Sequence, residues 1–587
     1  MQSGRVEMDV VLVAPRHLGL EGGLMFANHS GPNHSAQELN REGYTQPRSK
    51  SSFRWNLRFL AILGAAVLTS AWLCAQVVSV TTYHNDNSRR GLNDKETTLT
   101  HANVNSNQFG QVFAQKIDGY SYAQPLYLPK VNIPGLGTHN VIYVETEHDT
   151  VYAFDADDNQ GINSSPLWQR SFIDPAHNIT TVASKADANC TDLKPEIGIT
   201  GTPVIDSATG TLYVVVRTKE NGKFLQRLHA LDVSTGAEKF GGPTVIHAKV
   251  KGTGDGSING HVEFDPLRNN QRAGLLLVNG LIYIAWSSHC DLGPYHGWLM
   301  SYDAQTLQQT GVWIATPNAG LGGIWQAGGA PAADEDGNVY FATGNGGFDA
   351  NTGGVDFGDS VIKTGMPLNG QFMVFDYFTP HDQQFLDDFD LDLGSGGPML
   401  LPTQRPGSPH QHLLTLVGKG GVIYLIDRDN LGHFNPNNDD QIVQSLPTAV
   451  MPTGGIASWW NNTLYFIPVG DTLKAFHFDP KTGLISPAPV SQSATYFDFP
   501  TAILSVSSNG NKDGIVWAPQ DDGYVHGDPA ILRAYDAHNL AHQLYSSDEN
   551  FSRDNPGAAG KFTIPTIVNG KVYFTTHKRL AVYGLLP

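Results

Sequence analysis

From Tyr122 to the end of the chain one pattern recurs: a Pro or Gly opens a short apolar run, a Tyr or Trp ends it, and after a turn a second run ends in aspartate. The clearest copies lie at 140–158, 201–236, 279–306, 337–376, 420–430, 461–483, 511–539 and 569–584. Period-two alternation, turn residues at short intervals and no segment of helical period predict four-stranded antiparallel blades arranged in a ring. The fold class is therefore all-β, an eight-bladed β-propeller spanning 76–587 as one domain. The last copy ends almost at Pro587 and lacks an outer strand, which FGQVFAQKIDG (109–119) can supply. Closing the last blade with an N-terminal strand pairs the chain ends and removes an exposed sheet edge. Such a ring leaves a central funnel lined by interblade loops, the default place for a ligand.

A chain of 587 residues would otherwise imply several domains, but 63 glycines and only 16% charged residues suit one turn-rich repeat domain. A net charge of −18 argues against nucleic acid or an anionic membrane as partner, while acidic loops suit a hard cation such as calcium. Residues 1–50 show no periodicity and read as a disordered or mis-called extension. A basic stretch, RSKSSFRWNLR (48–58), then meets the apolar FLAILGAAVLTSAWL (59–73) and Ala75, so 51–75 reads as a secretory signal. Its apolar run is short for a membrane span, although an uncleaved anchor is the alternative. The expected location is periplasmic or secreted, with no stable membrane span after cleavage. Cys190 and Cys290 then remain, and in an oxidising compartment an even pair can close a disulfide.

The stretch 322–392 concentrates candidate chemistry. Trp325 precedes a buried-strand pattern, VYFA (339–342), which exits at Thr343-Gly344-Asn345, and an aspartate-rich segment follows. An indole, an amide oxygen and carboxylates are what a flat, metal-assisted cofactor needs.

These residues resemble the quinoprotein alcohol dehydrogenase superfamily, eight-bladed propellers that bind pyrroloquinoline quinone and calcium. The likeness runs from about Thr82 to the C-terminus. It rests on the entry segment TTYHNDNSRRGLN, on QPLYL (124–128), on FTPHD (378–382) with its following D-x-D, and on GKGGVIYLIDRDN (418–430). The resemblance implies that Trp325 stacks on the quinone and that Lys419 hydrogen-bonds it. Asn345 and Asp291 would be calcium ligands, and Asp390 the catalytic base, with Asp388 and Asp392 as competitors. The implied activity is oxidation of an alcohol or sugar hydroxyl, with electrons passed to an external acceptor. The sequence departs from that family at three places. Its adjacent cysteine pair is reduced to Cys190, for which Cys290 beside Asp291 would substitute. The glutamate before QPL is replaced around Tyr122. Finally, His148, His289, His296 and His381 fall in loops expected to rim the funnel.

Two other functions stay open. A noncatalytic propeller would bind protein or glycan at the funnel or rim. The histidines with neighbouring carboxylates would instead serve a metal-dependent hydrolase or lyase, although no H-x-H or H-E-x-x-H spacing is present.

Overall fold

A computed structural model describes residues 78–451, 455–500 and 502–587. The extension and the signal-like segment lie outside the described residues. Eight sheets of four or more strands follow one another along the chain, and in the first seven the four antiparallel blade strands are laid down in order from the inner edge outwards. The first blade is Leu126–Ile133, Gly137–Thr146, Thr150–Asp155 and Trp168–Ser171. The inner strands of the next six are Val204–Asp206, Leu276–Val278, Ala332–Ala333, Met399–Leu400, Ser458–Trp460 and Ser505–Asn509. In the eighth, Thr566–Val568, Lys571–Thr576 and Arg579–Leu585 are completed by Phe109–Lys116, which runs antiparallel to Arg579–Leu585 from Phe109↔Leu585 to Lys116↔Arg579. The expected N-terminal closure is thus present.

The repeated residues are the fasteners of the ring. In four of the blades the tyrosine of the second strand donates to the carbonyl just after the terminal aspartate of the next blade's third strand. Tyr143 reaches Val233 at 2.9 Å, and Tyr213 reaches Ala304, Tyr465 reaches Ala537 and Tyr573 reaches Ala156, each at 2.8 Å. The last of these joins blade eight to blade one. The aspartates themselves pin the following turn, as when Asp155 Oδ1 accepts from the Asp157 N–H at 2.8 Å and Asp536 Oδ1 from that of His538 at 2.8 Å. A buried phenol needs an acceptor and a tight turn needs an internal one, so both residue types recur.

Some blades exceed four strands. Gly370–Gln371, from the fourth repeat, adds in parallel to the outer strand of blade three, and His433–Phe434, from the fifth, adds to that of blade four. These short additions cover edges that would otherwise expose unpaired backbone.

The entry segment touches the inner strand of every blade. Val80 bridges Tyr127, Thr81 O accepts from Ile205 N, Asn87 bonds Leu277 O and Ala333 N, and Ser88 O accepts from Leu400 N. Further along, Arg90 O accepts from Trp459 N, Leu92–Asn93 pairs with Val506–Ser507, and Asn93 Nδ2 donates to Ile567 O. Arg89, wholly buried, donates to Pro331 O, Thr82 Oγ1, Tyr83 O and Asp86 O, so its desolvated charge is fully hydrogen-bonded. This plug packs Tyr83 against Ala327 and Ala330 and so backs the funnel from below.

Burial also stores protons. Glu145 and Glu147 in blade one and Asp521 in blade seven are at most 1% exposed, and burial pushes each carboxyl up to about 8. Neither Glu145 oxygen has a partner among the described residues. The folded state holds these protons more tightly than the unfolded chain, whose carboxyls titrate near ~4. Their contribution is therefore complete below about pH 4 and is lost as pH rises through about 8, at up to about 1.4 kcal/mol per pH unit for each group. Denaturant midpoints should fall between pH 5 and pH 8.5, and Glu145→Gln should flatten that slope and stabilise the protein at the alkaline end.

Candidate active site

The loops that enter the inner strands, with the turns between second and third strands, converge on a cavity of about 420 Å³, within the range of small-molecule sites. Trp325, Lys419, Asp291 and Cys290 line it together with Asp392, and Ala327 forms part of its floor. Several residues in or next to the lining have strained backbone. Cys290, Asp291, Gln326, Ala327, Asp390 and Phe562 all adopt left-handed φ between 47° and 57°, a conformation that costs energy in residues other than glycine and clusters at functional sites.

Trp325 is 8% exposed, and its indole N–H has no partner among the described residues. Tyr295 meets the indole edge-on at 6.1 Å, and the Arg272 guanidinium lies 5.6 Å from its ring centroid. Tyr295 donates to Asp291 Oδ1 at 2.7 Å. Gly344 is required where it stands: a Cβ there would come within 2.0 Å of Asp392 Oδ1 and 2.9 Å of Trp325 Cδ1. The Thr-Gly-Asn exit thus lets the indole and a carboxylate meet over bare backbone.

The aspartates separate by burial. The Asp390 side chain is 67% exposed and stands outside the cavity lining, whereas that of Asp392 is 3% exposed and lines it. Lys419 Nζ lies 2.5 Å from Asp392 Oδ2 and 2.7 Å from Asp390 Oδ1. Asn345 holds both, its backbone N–H on Asp392 Oδ1 at 2.9 Å and its Nδ2 on Asp390 Oδ1 at 3.0 Å. Burial pushes the Asp392 carboxyl up against the opposing pull of Lys419. On Lys419 burial pulls down, but the two carboxylates outweigh it and raise the ammonium. Asp388 ends the short helix Gln383–Asp388 and accepts from Gln384 at 3.0 Å, away from the lining. Asn345 sits behind the wall, 7% exposed, with an Oδ1 that has no donor among the described residues.

Cys190 and Cys290 are joined in a disulfide. The histidines do not converge. His148 faces Glu196 at 3.0 Å, His296 lies between Thr316 Oγ1 and Asp255 O, and His381 faces Asp439 at 3.1 Å. His289 is wedged between Arg217 and Asp192, where burial and the Arg217 charge pull its imidazole down to about 4. Cys190, Asp192 and His289 are close enough to share an ion, but the cysteine is committed to the disulfide and the imidazole to a guanidinium.

Sequence reasoning missed Arg272, Lys561, Phe499 and Phe562, which line the same cavity. Arg272 lies 4.3 Å from the Phe562 ring centroid and Lys561 5.0 Å, and neither cation has a hydrogen bond or ion pair among the described residues. One signal was available: Arg272 and Lys561 each stand a few residues ahead of an inner strand, as Trp325 and Asp392 do.

No protein-family model matches the sequence, and none of the curated proteins matches it. Solved structures share the fold. A quinohemoprotein alcohol dehydrogenase from Pseudomonas putida HK5 superposes with a TM-score of 0.54 at 14% identity, over 86% of this chain and 80% of that one. A europium-containing methanol dehydrogenase superposes at 0.56 with 12% identity, over 86% of this chain and 98% of that one. BamB from Moraxella catarrhalis superposes at 0.45 with 12% identity, over 81% and 99%. The chain is an eight-bladed propeller of the kind the first two share. Among its described residues no helix is long and apolar enough to cross a membrane.

Proposed function

We propose that the chain is an exported quinone-dependent dehydrogenase that oxidises an alcohol or sugar hydroxyl and passes electrons to an external acceptor. The observation that carries this reading is the meeting, in one cavity, of the Trp325 indole, two unpaired cations and a buried carboxylate. Pyrroloquinoline quinone is flat and carries carboxylates. It suits a wall that offers an aromatic face with half-buried Arg272 and buried Lys561 beside it, because desolvated cations without acceptors favour an anion. Calcium suits the hard oxygens of Asp291 and Asn345, and the Asn345 Oδ1 is the buried acceptor that an ion would satisfy. The protein oxygens are few, so quinone oxygens would complete the shell.

When bound, the quinone supplies a two-electron acceptor and the ion a Lewis acid. The chain supplies the rest. Asp392, desolvated and with its proton affinity raised, takes the proton of the substrate hydroxyl. Lys419 holds that carboxylate in place and presents a fixed positive charge where negative charge develops. Phe499 and Phe562 exclude water from the mouth.

Reconstitution with calcium and the quinone, followed by dye reduction with alcohols and sugars, tests the reading. Turnover that needs both additions, and loses its calcium requirement in Asn345→Ala together with most of its rate, is the expected result. Quinone binding without turnover would favour the binding-only propeller, a reading supported by Lys419 already neutralising both carboxylates.

A further inference from the structure

We infer that Lys561 is a reactive amine that condenses reversibly with an aldehyde or ketone held in the central cavity, the carbonyl compound carrying an anionic group seated on Arg272. Lys561 is 6% exposed and lines the cavity, and no acceptor among the described residues engages its Nζ. It follows Gly560 at the entry to the inner strand Thr566–Val568, and the left-handed φ of 57° at Phe562 fixes the turn there. A buried lysine is ordinarily neutralised by a carboxylate; this one faces a second cation instead.

The charged groups around it explain the state of the amine. Arg272 and Lys194 are like charges, while Asp192 and Glu147 oppose them. Asp192 is engaged by His289, Glu147 accepts from the Gly198 N–H, and Lys194 donates to Tyr524 O at 2.8 Å. The cavity also carries Asp291, bonded to Tyr295, and the Asp392–Lys419 pair. Burial first, and then Arg272, pull the Lys561 ammonium down to about 8. Desolvation beside another cation is the known route to a lysine nucleophile at neutral pH. A carboxylate on the ligand would take the Arg272 fork and place a neighbouring carbonyl before the amine.

The step balances without a redox partner. The nitrogen lone pair forms the C–N bond to the carbonyl carbon, and the carbonyl oxygen then leaves as water with the two amine hydrogens. The product is an imine, and hydrolysis reverses it. The inference needs neither quinone nor ion, and because a bound quinone carboxylate would occupy Lys561, the amine is tested in protein to which no quinone has been added.

The test uses the full-length protein with 4-carboxybenzaldehyde and sodium cyanoborohydride, which reduces an imine to a stable secondary amine, followed by peptide mapping by mass spectrometry. At pH 7.5 an amine titrating at about 8 is free in about a quarter of molecules, against about one in a thousand for an ordinary lysine. Lys561 should therefore label at least about tenfold faster than the exposed Lys512, with a rate midpoint near pH 8. Benzaldehyde, which lacks the carboxylate, should label it more slowly, and Arg272→Met should raise the midpoint and erase that preference. The wild-type ratio decides even where the variant folds poorly. Labelling of Lys561 no faster than Lys512, or a midpoint near the ordinary lysine value, would overturn the inference.

Discussion

Asp392→Asn should lower quinone-dependent kcat by about 10²–10⁴-fold, the usual contribution of a positioned general base. Asp390→Asn should cost less than about tenfold. The two residues lie two positions apart and share Lys419, yet only Asp392 is desolvated within the cavity wall. Asparagine preserves its shape and can still accept the Asn345 N–H, so quinone affinity should change little while the pH–rate profile loses its acidic limb, where protonation of the base would otherwise slow the rate. A matched loss in both variants would instead make the loop as a whole, and not the buried carboxylate, the catalytic element.

The second large effect concerns the disulfide. Cys290→Ser opens a link between residues 100 positions apart, and loop-closure entropy puts the loss at about 3–5 kcal/mol. Denaturant unfolding of the wild-type protein in reductant should shift to the variant's midpoint, and the variant itself should ignore reductant. Because Cys290 also lines the cavity and precedes the strained Asp291, quinone affinity should fall together with stability. A variant that kept full affinity would show that the bond staples the loops and takes no part in shaping the site.

The ring was legible because its fasteners are chemical. A tyrosine that finds a carbonyl in the next blade recurs in blades one, two, six and eight, and short apolar strands between turn residues mark the other four. Closure by Phe109–Lys116 was legible for a related reason, since the final repeat visibly lacked a strand. The plug at 80–93 was not: most of its contacts to the eight inner strands are backbone hydrogen bonds, which leave no side-chain pattern, although Asn87 and Asn93 also reach strands through their side chains. Trp325 and Lys419 could be placed because each adjoins a recognisable strand phrase. Arg272 and Lys561 could not, since what distinguishes them is the lack of a partner, and pairing is settled by residues hundreds of positions away. The choice between Asp390 and Asp392 turns on which side of a short loop faces inwards. Composition is silent on that, and the structure shows it as Asp392 packed against Gly344 in the cavity wall with Asp390 exposed.

The dehydrogenase proposal needs the cavity to seat a planar anionic quinone against the indole of Trp325. A crystal structure of the protein soaked with pyrroloquinoline quinone and calcium tests it most directly. The ring system should lie along the Trp325 face, with its carboxylates on Arg272 and Lys561 and an ion beside Asn345 Oδ1. An empty cavity at saturating quinone, or a quinone bound elsewhere on the propeller, would contradict it.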